Sequence, residues 1–81
     1  MTFYYVYILQ SDSHPNRHYV GFTKNLVKRL RSHNSGQSHH TSKYRPWHVR
    51  TAVAFTDPKR TRRFERYLKT ASGRAFARKR L

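Results

Sequence analysis

Five side chains in this 81-residue sequence are of types that do chemistry together: Tyr7, Tyr19, Arg29, His33 and Glu65. Tyr7 ends the run Tyr5-Val6-Tyr7 and Tyr19 begins the run Tyr19-Val20-Gly21. Strand alternation puts Tyr5 and Tyr7 on one face, and a hairpin register brings Tyr19 beside them. Tyrosines are also ordinary sheet formers, so the pair alone says little. Arg29 and His33 stand at i and i+4, which aligns them on one helix face, although an arginine in so basic a helix reads equally as a solvated charge. Glu65 is the only glutamate, one of 3 acids against 18 Lys and Arg. Beside apolar Phe64 its carboxylate lies at the edge of a buried stripe and needs a partner. Lys69 or Arg62 could pair with it, or a hard cation could, because magnesium takes one or two carboxylates and fills its other positions with water and substrate phosphate. The planar fork of Arg29 suits phosphate and developing negative charge.

The elements that must position these residues follow from pattern. Phe3 to Leu9 is aromatic and β-branched on both parities, as in a central strand covered on both faces. Turn formers fill Ser11 to Asn16, and Arg17 to Phe22 completes a hairpin. Thr23 or Asn25 caps a helix to about Asn34, with Leu26, Val27 and Leu30 inward and Gly36 as its stop. Ser35 to Pro46 lacks periodicity and reads as an exposed, mobile loop. Trp47 to Phe55 alternates as a third strand of the same sheet. Asp57-Pro58 starts a helix running to about Ala71, with Phe64, Tyr67, Leu68 and Ala71 as one buried stripe. Ser72 and Gly73 interrupt it, and Ala75 to Ala77 begin a last short helix whose final cations suit its dipole. The expected fold is α+β: a small three-stranded antiparallel sheet flanked by helices in the order β-β-α-β-α-α, forming one domain over residues 1–81.

A formal net charge of +15, spread along the chain, calls for a polyanionic partner. Nucleic acid fits better than membrane, since no stretch approaches the roughly 18 apolar residues of a spanning helix. The start of the chain lacks the pattern of a secretory signal. The absence of cysteine excludes disulfides and thiolate zinc sites, and the cytoplasm is the expected compartment. His33, His39, His40 and His48 do not complete a tetrahedral zinc set. Lys24, Lys28, Lys43, Tyr44, Arg45, Arg62, Arg66 and Lys69 are the candidate nucleic-acid contacts, with Lys43-Tyr44-Arg45 mixing cations and a ring as single-strand binders do. A non-catalytic basic binder would need only this charge and a folded core. Glu65 separates the two readings, because a pure binder gains nothing from a carboxylate facing phosphate.

In order and spacing these residues resemble the GIY-YIG endonucleases over nearly the whole chain. Tyr5-Val6-Tyr7 stands where the family has Gly-Ile-Tyr, and Tyr19-Val20-Gly21 where it has Tyr-Ile-Gly. Arg29, His33 and Glu65 match the family's helix-borne arginine, the histidine one turn on and the metal-binding glutamate. The runs His33 to Gly36 (HNSG) and Phe64 to Lys69 (FERYLK) resemble the compact, stand-alone bacterial members. Tyr5 replaces the first glycine, and valine replaces isoleucine in both motifs. The resemblance implies a magnesium-dependent DNA endonuclease of low sequence specificity, with manganese able to substitute, serving repair, recombination or processing of incoming DNA. The substrate would be single-stranded, double-stranded or branched DNA ahead of RNA. Glu65 would hold the metal and Tyr7 would assist deprotonation of the attacking water. Tyr19 would hydrogen-bond nearby, and His33 would contact phosphate or act as an alternative base. A free phenol, with a pKa of about 10, accepts protons poorly, and Arg29 is the cation expected to favour phenolate.

Overall fold

The computed structural model describes all 81 residues. The elements are β1 (Tyr4–Ser11), β2 (His18–Thr23), α1 (Leu26–Asn34), β3 (Trp47–Phe55), α2 (Pro58–Leu68) and α3 (Ala71–Arg80). They form the expected three-stranded antiparallel sheet, in the order β2-β1-β3. β1 is central and carries the core on both parities. Val6 and Ile8 pack with Leu68, Phe64 and Phe55 on one face, and Tyr7 and Leu9 with Trp47, Leu26 and Leu30 on the other. Two thin cores thus share one strand, which is why its sequence reads as a continuous apolar run.

β3 crosses between those cores. Ile8 pairs with Thr51 while Leu9 pairs with Val49, so Arg50 is an unmatched bulge residue. A bulge reverses the facing of the residues beyond it. Trp47 and Val49 consequently join the α1 side, whereas Phe55 joins the side of α2.

The helices depart from the pattern reading at their ends. Asn25, not Thr23, caps α1, accepting from Lys28 N at 3.0 Å, while Thr23 Oγ1 accepts from Asn25 N. Gly36, at φ 82°, provides the left-handed stop. Val27 is 62% exposed and outside the inward stripe. α2 ends at Leu68, three residues early, because Thr70 starts α3 by accepting from Gly73 N at 3.1 Å. Ser72 and Gly73 lie within α3 and do not interrupt a helix. A Cβ on Gly73 would collide with the Tyr67 carbonyl, so this glycine serves close approach of α3 to the end of α2. Ala71 is therefore outside the α2 stripe, Tyr67 is 40% exposed, and the buried Thr61, whose hydroxyl donates to Asp57 O at 2.8 Å, lies inward in their place.

The segment 35–46 is not an exposed loop throughout. It contains a single 3-10 turn, Ser42–Tyr44, and Thr41 is 1% exposed. Ser11 Oγ donates to Tyr44 O at 2.6 Å, and the Asn34 side chain brackets Trp47 through both its backbone N–H and its carbonyl. Polar side chains whose partners lie far along the chain tie the segment down, which periodicity does not register. No helix is long and apolar enough to cross a membrane.

Candidate active site

The site is built on the α1 side of the sheet. Tyr7 lies opposite Gly21 in the β1–β2 register. Its ring covers the bare backbone there: a Cβ on Gly21 would lie 2.5 Å from Tyr7 Oη and 3.0 Å from Tyr19 Cε2. The glycine of the second motif is thus a steric requirement of the tyrosine of the first. It lets the phenol pass close over β2 to reach α1.

There Tyr7 Oη is 3.0 Å from His33 Nε2 and accepts from Arg29 Nε at 3.4 Å. Tyr19 stacks against the same imidazole with centroids 4.8 Å apart. Tyr7, Tyr19, Arg29 and His33 therefore form one cluster. Tyr7 and His33 are buried, whereas Arg29 remains exposed and faces both phenols, Tyr7 and Tyr19. This arrangement corrects one expectation and narrows another. His33 is 0% exposed, so of its two expected roles burial disfavours phosphate contact. Tyr7 is not tuned toward phenolate: burial raises its pKa, and the opposing Arg29 hydrogen bond does not overcome burial reinforced by Tyr19. The same burial, with Arg29 nearby, lowers the pKa of His33 and keeps it neutral at pH 7.

The His33 ring is held from behind, where Nδ1 lies 2.8 Å from Thr41 Oγ1. Pattern reading missed Thr41 because it falls in an aperiodic, polar segment.

Glu65 comes from α2 and takes the ion-pair option, with Lys69 Nζ 2.6 Å from its Oε2. Its side chain is 17% exposed. Its charge also reaches Tyr7, as the smallest of the influences on that phenol. No three His, Cys, Asp or Glu side chains converge to hold a metal unaided. That donor set does not suit zinc or calcium, but it fits magnesium, which binds one carboxylate readily when substrate phosphate and water complete its shell. Glu65 would hold it once Lys69 turns outward.

The candidate contacts divide. Lys24, Lys28, Lys43, Arg45, Arg62, Arg66 and Lys69 are exposed. Lys24 lies over the Tyr4 ring and Arg62 over Phe22. Tyr44 is not a free stacking platform, because its half-buried ring packs with the α1-side core and is covered by Arg17 and Lys43. The structure adds a basic cleft of about 770 Å³ whose cations are Arg17, Arg50, Lys69, Arg74 and Arg78. Its apolar floor includes Ile8, Val20 and Leu68, and no Asp or Glu side chain lines it. Two of its lining residues, Tyr19 and Lys69, also touch the catalytic cluster or Glu65. These cations come from three separate stretches of the sequence, around Arg17, Arg50 and residues 69–78, so only folding reveals the cleft.

The structure-specific endonuclease subunit SLX1 homolog of Giardia intestinalis is 40% identical over 48 residues, which are 56% of this chain and 13% of that protein. The structure-specific endonuclease subunit SLX1 of Scheffersomyces stipitis is 38% identical over 58 residues, 64% of this chain and 17% of that protein. The chain thus spans only a small part of the length of these curated relatives. The solution NMR structure of the UPF0213 protein BH0048 from Bacillus halodurans matches with a TM-score of 0.56 at 27% identity, covering 94% of this chain and 80% of that one. The model of the GIY-YIG catalytic domain matches residues 3–80, a span that includes Tyr7, Tyr19, Arg29, His33 and Glu65, and the chain belongs to that family.

Proposed function

We propose that the chain is a magnesium-dependent endonuclease that hydrolyses phosphodiester bonds in DNA. The observation that carries this reading is the buried contact between Tyr7 and His33 beside an exposed Arg29. A structural tyrosine would not need a neutral imidazole and a guanidinium on the same hydroxyl.

The cluster supports a proton relay and not a standing phenolate. As water attacks phosphorus, its proton passes to Tyr7 Oη while the phenolic proton passes to His33 Nε2, leaving an imidazolium. The new O–P bond forms, the bond to the leaving oxygen breaks, and that oxygen takes a proton from solvent. Tyr7 stays neutral throughout, which agrees with its raised pKa, and His33 begins neutral, as its lowered pKa requires. Arg29 stabilises charge on the phosphoryl oxygens with the nitrogens it does not use on Tyr7. Magnesium held by Glu65 would supply further charge neutralisation there.

The cation-lined surfaces support DNA binding through phosphates, which fixes affinity without reading sequence. Similarity to structure-specific endonuclease subunits, together with an open basic cleft whose cations can track a backbone, favours substrates with an unpaired strand, single-stranded or branched. Such substrates suit repair, recombination or processing of incoming DNA. The test is cleavage of supercoiled, single-stranded and branched DNA in magnesium, in manganese and in chelator by the native, Glu65→Ala and Tyr7→Phe proteins. Metal-dependent nicking lost in both variants is expected. Undiminished cutting by Glu65→Ala overturns the metal assignment, and salt-sensitive binding with no cutting favours the pure binder.

A further inference from the structure

The hydrogen bonds behind His33 have a direction. Thr41 Oγ1 has one hydrogen and two polar neighbours, His33 Nδ1 at 2.8 Å and the Ser38 carbonyl at 3.4 Å. A carbonyl can only accept, so the arrangement that uses both contacts directs the Thr41 hydrogen to Ser38 O, which also takes the backbone N–H groups of Thr41 and Ser42, and leaves the hydroxyl oxygen to accept from His33 Nδ1–H. A neutral imidazole carries one proton. With that proton on Nδ1, Nε2 is a lone pair, and the hydroxyl of Tyr7 must donate to it across their 3.0 Å contact. The opposite arrangement, with Thr41 donating to Nδ1, would put the proton on Nε2, which would donate to Tyr7 Oη and leave the phenolic hydrogen without an acceptor, since Arg29 Nε, its other neighbour, is itself a donor.

We propose that Thr41 is a positioning residue that sets the tautomer of His33, and through it the direction in which Tyr7 can pass a proton. Thr41 and His33 are 1% and 0% exposed, so water does not compete for either nitrogen. The residue is itself fixed from two sides, since Trp47 Nε1 donates to Thr41 O at 2.8 Å and Thr41 N donates to Ser38 O at 3.2 Å. Thr41, at 1% exposure, thus serves the reaction without touching substrate. The inference rests on the relay reading of Tyr7, but its first readout does not depend on activity.

Long-range proton–nitrogen NMR of the metal-free protein reads the His33 tautomer directly. Nδ1–H is expected in the native protein and in Thr41→Ser, and Nε2–H in Thr41→Val, which is nearly isosteric but offers Nδ1 no acceptor. In cleavage assays Thr41→Val is expected to lose kcat by on the order of a hundredfold with KM little changed, while Thr41→Ser stays near native. Nε2–H in the native protein overturns the proposal whatever the variants do. So does a Thr41→Val protein that loses rate while keeping the Nδ1–H tautomer, because Thr41 would then be only a packing residue. Should Thr41→Val fail to fold, the native spectrum and Thr41→Ser still decide. If the tautomers behave as stated and no protein cuts DNA, the nuclease reading fails and the positioning role stands.

Discussion

Gly21→Ala is the most exacting test of how the site is built. At a strand position without positive φ, glycine to alanine ordinarily stabilises a protein by about 0.4–1 kcal/mol, by restricting the unfolded chain. Gly21 has no positive φ, yet its new methyl would lie 2.5 Å from Tyr7 Oη and 2.7 Å from Cζ. Restoring ordinary contact requires the phenol to retreat by roughly 1 Å, and Tyr7, being 1% exposed, has no free space to enter. Such overpacking costs about 1–3 kcal/mol, and set against the backbone gain the expected net change is a loss of up to about 2.6 kcal/mol. The same shift displaces Tyr7 Oη from its 3.0 Å position against His33. A misplacement of about 1 Å at a reacting group costs on the order of a hundredfold in rate. Urea unfolding and plasmid nicking measure the two effects. Repeating the substitution in a Tyr7→Phe background removes the closest contact, and the stability cost of Gly21→Ala is expected to shrink there. A Gly21→Ala protein as stable and as active as native, or one whose cost is unchanged without the phenolic oxygen, refutes the steric account of this motif.

Three further outcomes follow from the site. Calorimetry should show magnesium binding to the protein alone only at about millimolar levels or weaker, because Glu65 is the one carboxylate at the site; micromolar affinity without DNA would contradict a shell completed by phosphate. Burial, with a neighbouring arginine, lowers the pKa of both His33 and His18, so between their folded values and about 6.5 the unfolded chain binds more protons. Stability is therefore complete above about pH 6.5 and declines as pH falls through the folded values, whereas the raised pKa of Tyr7 removes stability as pH rises above about 10; unfolding midpoints across pH check both limbs, and a flat acid limb refutes the buried neutral histidines. Replacing Arg50, Arg74 and Arg78 with glutamine should reduce the salt slope of log affinity for single-stranded DNA by up to about 2, with Tyr7→Phe used as the background so that cleavage does not interfere. An unchanged slope would remove the cleft from the DNA path.

The residue types of the site, the antiparallel hairpin that carries the two tyrosines, the central place of β1 and the capping of α2 by Asp57 are all legible in the linear chain. Each depends on local periodicity or on spacing within one element, and those survive in one dimension. The tertiary structure alone decided what the parts do to one another. Gly21 owes its identity to Tyr7 fourteen positions earlier, on the neighbouring strand. Glu65 could pair with Lys69 or with a metal on sequence grounds, and folding set the Lys69 pair in place. The charge on Arg29 argued for a phenolate, but burial opposes ionisation more strongly than one guanidinium at 3.4 Å favours it, and burial is a property of the packed core. Thr41 shows the limit most clearly: a polar residue in a polar stretch carries no pattern, and only closure of its segment over His33 gives its single hydroxyl hydrogen a direction.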